Sequence, residues 1–137
     1  MTTLKSPLLW IIFGLATQSA SAAVNGYQCL ISEQLLLEEN GALKRPPEPY
    51  LIGQRFAVDR NTGRIVGPEQ GMWQFDNHKI TVLARGNADN SFIVDSVGPS
   101  HGDGVHATHL RIVEFAPSKS KPFVVLSGSL VASGVCE

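Results

Sequence analysis

The stretch RFAVDRNTGRIVG, residues 55–67, reads as a β-hairpin. Phe56 and Val58 alternate with polar or small neighbours, the period of two that sets one face of a strand against a core. Asn61-Thr62-Gly63 is turn chemistry with glycine where a positive φ is needed, and Arg64-Ile65-Val66 returns. Asp59, just before the turn, is placed to accept hydrogen bonds from the turn's own N–H groups. Asp59, Arg60 and Arg64 also make a candidate binding patch, although hairpin stabilisation is the first role of such residues here.

The same grammar extends in both directions. Ile80, Val82 and Ala84 alternate in KITVLA, RGNADN breaks the chain, and SFIVDSV and HLRIVEF follow before the turn APSKSKP. In FVVLSGSLVASGVCE (123–137) the even positions are Val124, Leu126, Gly128, Leu130, Ala132, Gly134 and Cys136, against serines at 127, 129 and 133. That pattern predicts one long strand, bent at Gly128, with the even face packed. SEQLLLEENGALK (32–44) suits either a helix capped by Gly41 or, through Asn40-Gly41, a hairpin, and the strand patterns downstream favour the hairpin. KRPPEPY (44–50) reads as a stiff connection, and residues 69–77 show no clear periodicity. Turns recur about every ten residues, so the expected fold is all-β: a single antiparallel barrel or sandwich of about six to nine short strands.

Residues 1–22 read as a cleaved signal peptide. Lys5 supplies the positive end, Leu8 to Phe13 the apolar run, and Ala20-Ser21-Ala22 the small-x-small cleavage pattern. The run is about half of the roughly 20 apolar residues a membrane-spanning helix needs, so no stable membrane insertion is expected after cleavage. Residues 23–137 then form a single β domain, periplasmic or secreted, large enough to bury roughly 60% or more of its unfolded surface. Removing Lys5 leaves ten basic against twelve acidic side chains. With no basic stripe interleaved with aromatics, nucleic acid is not an expected partner. Cys29 and Cys136, at opposite ends of an exported chain with no C-x-x-C, predict one disulfide tying the termini together.

GPSHGDGVHATH (98–109) offers two kinds of chemistry by composition. Gly98, Ser100 and Gly102 spell G-x-S-x-G, but a nucleophile elbow must open a helix, which Gly102 and Gly104 oppose, and the domain is small for an α/β-hydrolase. No catalytic residue is therefore expected. His101, Asp103, His106 and His109 are suitable donors for zinc or copper. If a strand starts near Val105, however, His106 and His109 point to opposite faces, and a site needs His101 and Asp103 with one strand histidine, or His78. The third reading is a polar loop between two strands.

A cysteine soon after the signal peptide, FAVDRNTGRIVG, KPFVV and a terminal SGVCE resemble small exported proteins of proteobacteria to which no activity is assigned. The resemblance implies a periplasmic domain. The chain is also similar, more weakly, to periplasmic C-type lysozyme inhibitors in size, β build and disulfide use, but their Ser-Gly-x-x-Tyr loop is met here by Ser127-Gly128-Ser129-Leu130-Val131, without the tyrosine. The sequence thus predicts a non-enzymatic domain, without a cofactor, that binds a periplasmic protein or small ligand. Its alternatives are zinc or copper binding through the loop from His101 to His109, and lysozyme-inhibitor-like activity.

Overall fold

The computed structural model describes residues 25–68, 73–100 and 102–137. The signal-peptide reading of residues 1–22 and the donor His101 lie outside these. Among the described residues there are nine strands and no helix: β1 (Gly26–Leu37), β2 (Leu43–Lys44), β3 (Arg55–Asp59), β4 (Ile65–Val66), β5 (Lys79–Arg85), β6 (Phe92–Pro99), β7 (Val105–Ile112), β8 (Lys121–Ser127) and β9 (Leu130–Cys136). All pair antiparallel in one sheet of order β4-β3-β1-β9-β8-β7-β6-β5, with β2 on the far end of β1. The sheet curls into a half-barrel. The first and last strands therefore lie side by side in its middle, and its two edges are β4 and β5.

The hairpin at 55–67 forms as its residues dictate. Asp59 Oδ1 accepts from the N–H groups of Asn61 and Thr62 at 2.8 and 2.9 Å. These bonds, Thr62's first, hold the Asp59 carboxyl below the usual carboxylate range. Gly63 takes φ 74° and presses against the side chains of Ile80, Val82 and Val94, so both its backbone and its missing Cβ are used. Residues 32–44 are a hairpin too: Glu38 N donates to the Ala42 carbonyl, and Gly41 has φ 83°.

Two local features correct the simple alternation. The stretch 123–137 is two strands, not one: Gly128 (φ 59°) and Ser129 form a two-residue turn with Ser127 opposite Leu130. Residues facing each other across such a turn lie on the same side of the sheet, so the inward parity switches. Phe123, Val125 and Ser127 are buried before it, Leu130, Ala132 and Cys136 after it, and Leu126 faces solvent. In β1 a bulge between Ile31 and Glu33 does the same, turning the inward set from Tyr27, Cys29 and Ile31 to Gln34 and Leu36.

The concave face holds the core. Phe56 meets Trp73 and Phe123 edge-on at 4.8 and 5.0 Å between ring centroids, and Tyr27 packs on Phe92 at 5.2 Å. Leu110, Ile112, Val94 and Val125 fill the rows between. Cys29 and Cys136 face each other across β1 and β9, 4.0 Å apart at Cα, and are disulfide-bonded as expected. Gln28 and Glu137 exchange both backbone hydrogen bonds beside them. A disulfide at this position points to an oxidising, non-cytoplasmic compartment. No helix among the described residues is long and apolar enough to cross a membrane.

Side chains close the seam between β4 and β5 where the ladder does not. Arg60 donates to the carbonyls of Arg85 and Gly86 at 3.2 and 3.0 Å. It also pairs with Glu114 at 3.3 Å and lies over the Tyr27 ring. Tyr27 donates to Glu114 at 2.6 Å, and burial, reinforced by that carboxylate, pushes its phenol well above the usual tyrosine value.

Candidate functional site

A broad concavity lies on the free edge of the β3–β4 hairpin. β4 has a strand neighbour on one side only, and on the other the backbone is met by a side chain. Gln74 Oε1 accepts from Ile65 N at 2.8 Å, and its Nε2 donates to the Gly63 carbonyl at 3.0 Å. An amide with one acceptor and two donors is suited to stand in for a strand in this way. Trp73, 2% exposed, is fixed from below by Phe56 and by Thr108, whose hydroxyl donates to its carbonyl at 2.7 Å.

Between this segment and residues 52–55 runs a groove of about 930 Å³, open to solvent along one side. Its apolar surface comes from Ile52, Val66, Pro68 and Trp73, and its charged groups are the guanidinium groups of Arg55 and Arg64. No Asp or Glu is among its described lining residues. Arg64 pairs with Asp76, which is itself 97% exposed at the side chain, while Arg55 is exposed at the other end of the hairpin.

Of the sequence-predicted patch, Arg64 alone lines this groove. Asp59 is occupied in capping its own turn and Arg60 in closing the seam. Arg55, Ile52, Trp73 and Gln74 were not singled out from sequence, because they come from separate segments that only the sheet order brings together.

The histidine stretch is divided by the sheet. Ser100 and Gly102 to Gly104 belong to the connection of the β6–β7 hairpin, where Ser100 N donates to the Gly104 carbonyl at 3.0 Å, and β7 rather than a helix follows. Gly98 is needed as space: a Cβ there would come within 2.5 Å of His78 Cδ2 and 3.0 Å of His78 Cα. β7 begins at Val105, so His106 turns inward and His109 outward, as the period of two predicts. His109 Nδ1 pairs with Asp95 on the convex face, half exposed, and Asp103 is exposed in the loop. Among the described residues no three His, Cys, Asp or Glu side chains are grouped to hold a metal ion.

Inside, Ser96, Thr108 and Ser127 stand opposite one another on β6, β7 and β8, a polar row above the apolar ones. His78 Nε2 meets the Pro99 carbonyl at 3.1 Å and must donate, which leaves Nδ1 of the neutral ring to accept from Ser96. His106 Nε2 lies 3.0 Å from Ser127 Oγ and 3.2 Å from Thr108 Oγ1. The two imidazoles stack with centroids 5.7 Å apart, and their faces rather than their nitrogens meet. Ser96, Thr108 and Ser127 are buried, and this network ties three strands to the 73–78 segment.

Burial, and secondarily the neighbouring His78, lowers the pKa of His106. The fold thus favours the neutral ring, and below about pH 6.5 the unfolded chain takes up that proton first. This contribution to stability is complete at pH 7–8 and is lost as pH falls from about 6.5 towards the depressed value. Thermal melts are expected to show a lower Tm at pH 5.5 than at pH 7.5, with the difference reduced in His106→Gln. Equal melting of the parent protein at both values contradicts this assignment.

Comparison with protein-family models, with curated proteins and with solved structures finds no match to this chain.

Proposed function

We propose that the protein is a periplasmic or secreted binding domain, without catalysis of its own, that takes a protein segment or small ligand in the groove beside β4. The observation that carries this reading is the groove itself. Its volume falls within the roughly 300–1,000 Å³ of ligand sites, and it pairs an apolar lining with two cationic groups on a hairpin anchored to the core. The signal-peptide pattern and the disulfide support export. The buried hydroxyl and imidazole groups, engaged with one another, support binding over chemistry.

A photo-crosslinking amino acid at position 66 tests the reading in intact cells. Val66 is 66% exposed and lines the groove, whereas Leu126, 47% exposed, lies on the convex face as a control. Adducts are expected from position 66 and not from position 126. Adducts confined to position 126 would place binding elsewhere and overturn the reading.

A further inference from the structure

We infer that the occupant of the groove is an extended, acidic segment of a partner polypeptide, with carboxylates four residues apart around a central apolar side chain. This rests on the groove being the binding site and names what binds there. Arg55 and Arg64 mark the two ends of the β3–β4 hairpin, with Val66 between them. Asp59 N donates to the Arg64 carbonyl, so Arg64 stands opposite Asp59, four residues from Arg55 along β3, or about 13 Å at the rise of a strand.

An extended chain covers that distance between residues i and i+4, which point to the same side, with i+2 between them over Val66. The charged groups among the described lining residues are both guanidinium groups, which favour planar carboxylates. Arg55 stands exposed, and the partner of Arg64, Asp76, is so exposed that an incoming carboxylate can replace it. A small molecule is less suited to a groove open along one side, because ligand sites enclose most of their ligand.

Strand addition is not the mode of recognition. The edge groups Ile65 N–H and Gly63 C=O are already taken by Gln74. The opposite sheet edge, β5, carries Lys79 and Arg85 and a bulge between Val82 and Ala84, features that discourage pairing with another strand. The segment is therefore recognised through side chains.

The sequence has two tryptophans, Trp10 and Trp73. A protein beginning at residue 23 retains only Trp73, which lines the groove and reports on it by fluorescence. Titration with a short peptide of pattern Glu-x-Leu-x-Glu is expected to give a saturable change. The Gln-x-Leu-x-Gln counterpart should bind at least about fivefold more weakly and the Lys-x-Leu-x-Lys counterpart more weakly still. Arg55→Glu and Arg64→Glu should each weaken the acidic peptide. The double variant, checked for its fold by circular dichroism, should prefer the lysine peptide.

Equal affinity for the Glu and Gln peptides, or an unchanged preference in the double variant, overturns the inference. So does the absence of binding by any of the three up to about 1 mM. If position 66 still crosslinks in cells, the binding reading survives that failure; if crosslinking is confined to position 126, both fall.

Discussion

Replacing both cysteines, in Cys29→Ala with Cys136→Ala, is expected to lower unfolding free energy by about 4–5 kcal/mol in the chain-entropy treatment of a loop of this size. The bond spans a sequence separation of 107, and its cysteines are both 0% exposed. It joins β1 to β9 in the centre of the sheet, where the two chain ends meet, so its loss frees almost the whole folded length at once. Domain stabilities are typically about 5–15 kcal/mol, so a loss of that size removes roughly a quarter or more of the total. Urea unfolding of the oxidised protein and the double variant measures the difference. The burial of both sulfurs adds a second expectation: reductant acts slowly below the unfolding transition and quickly within it. A difference under about 1 kcal/mol would show that β1 and β9 are held together by the ladder and core alone.

The second large effect is expected from Phe56→Ala. Phe56 is 2% exposed and supports Trp73 on one side and Phe123 on the other, so it joins the hairpin to the rest of the core. Truncating a buried phenylalanine costs about 3–5 kcal/mol, through lost transfer energy and the cavity left behind. For a domain of this size that corresponds to a fall in Tm of roughly 15–20 °C. The same change removes the floor under Trp73, so ligand affinity is expected to fall even where the variant remains folded. Thermal melts followed by Trp73 titration separate the two effects. A Tm loss of only a few degrees would mean that the hairpin is not anchored through this ring.

Much of the fold is legible because β structure is written in local chemistry. Asp59 and Gly63 declare their turn, Asn40-Gly41 another, and the alternation of Ile80 with Val82 and of Leu110 with Ile112 follows the pleat. The pairing of Cys29 with Cys136 follows from the number and position of the cysteines. What sequence reading misses is parity. Gly128-Ser129 looks like a bend within a strand until Ser127 is seen opposite Leu130, and the bulge at Ser32 hides in a leucine-rich stretch that suits a helix as well.

The candidate site is harder to read for a different reason. Arg55, Arg64 and Val66 stand in the hairpin, but the groove exists because Gln74 takes the place of a missing strand and Trp73 is held down by Thr108. Nothing in local periodicity announces a side chain acting as a strand. The histidine stretch misleads in the opposite direction. Its donors are close in sequence, yet the β7 pleat sends His106 to the concave face and His109 to the convex face.

The central claim is that binding takes place in the groove beside β4 and not in the core or around Val97 and Leu126 on β6 and β8. Two-dimensional NMR of the isotopically labelled domain, titrated with the Glu-x-Leu-x-Glu peptide, tests it most directly. The account predicts amide shift changes concentrated at Gly53, Arg55, Val66, Gly67 and Gln74, with Leu110 and Val125 in the core and Val97 and Leu126 outside unmoved. Changes centred on Val97 and Leu126, or on the core residues, would contradict it.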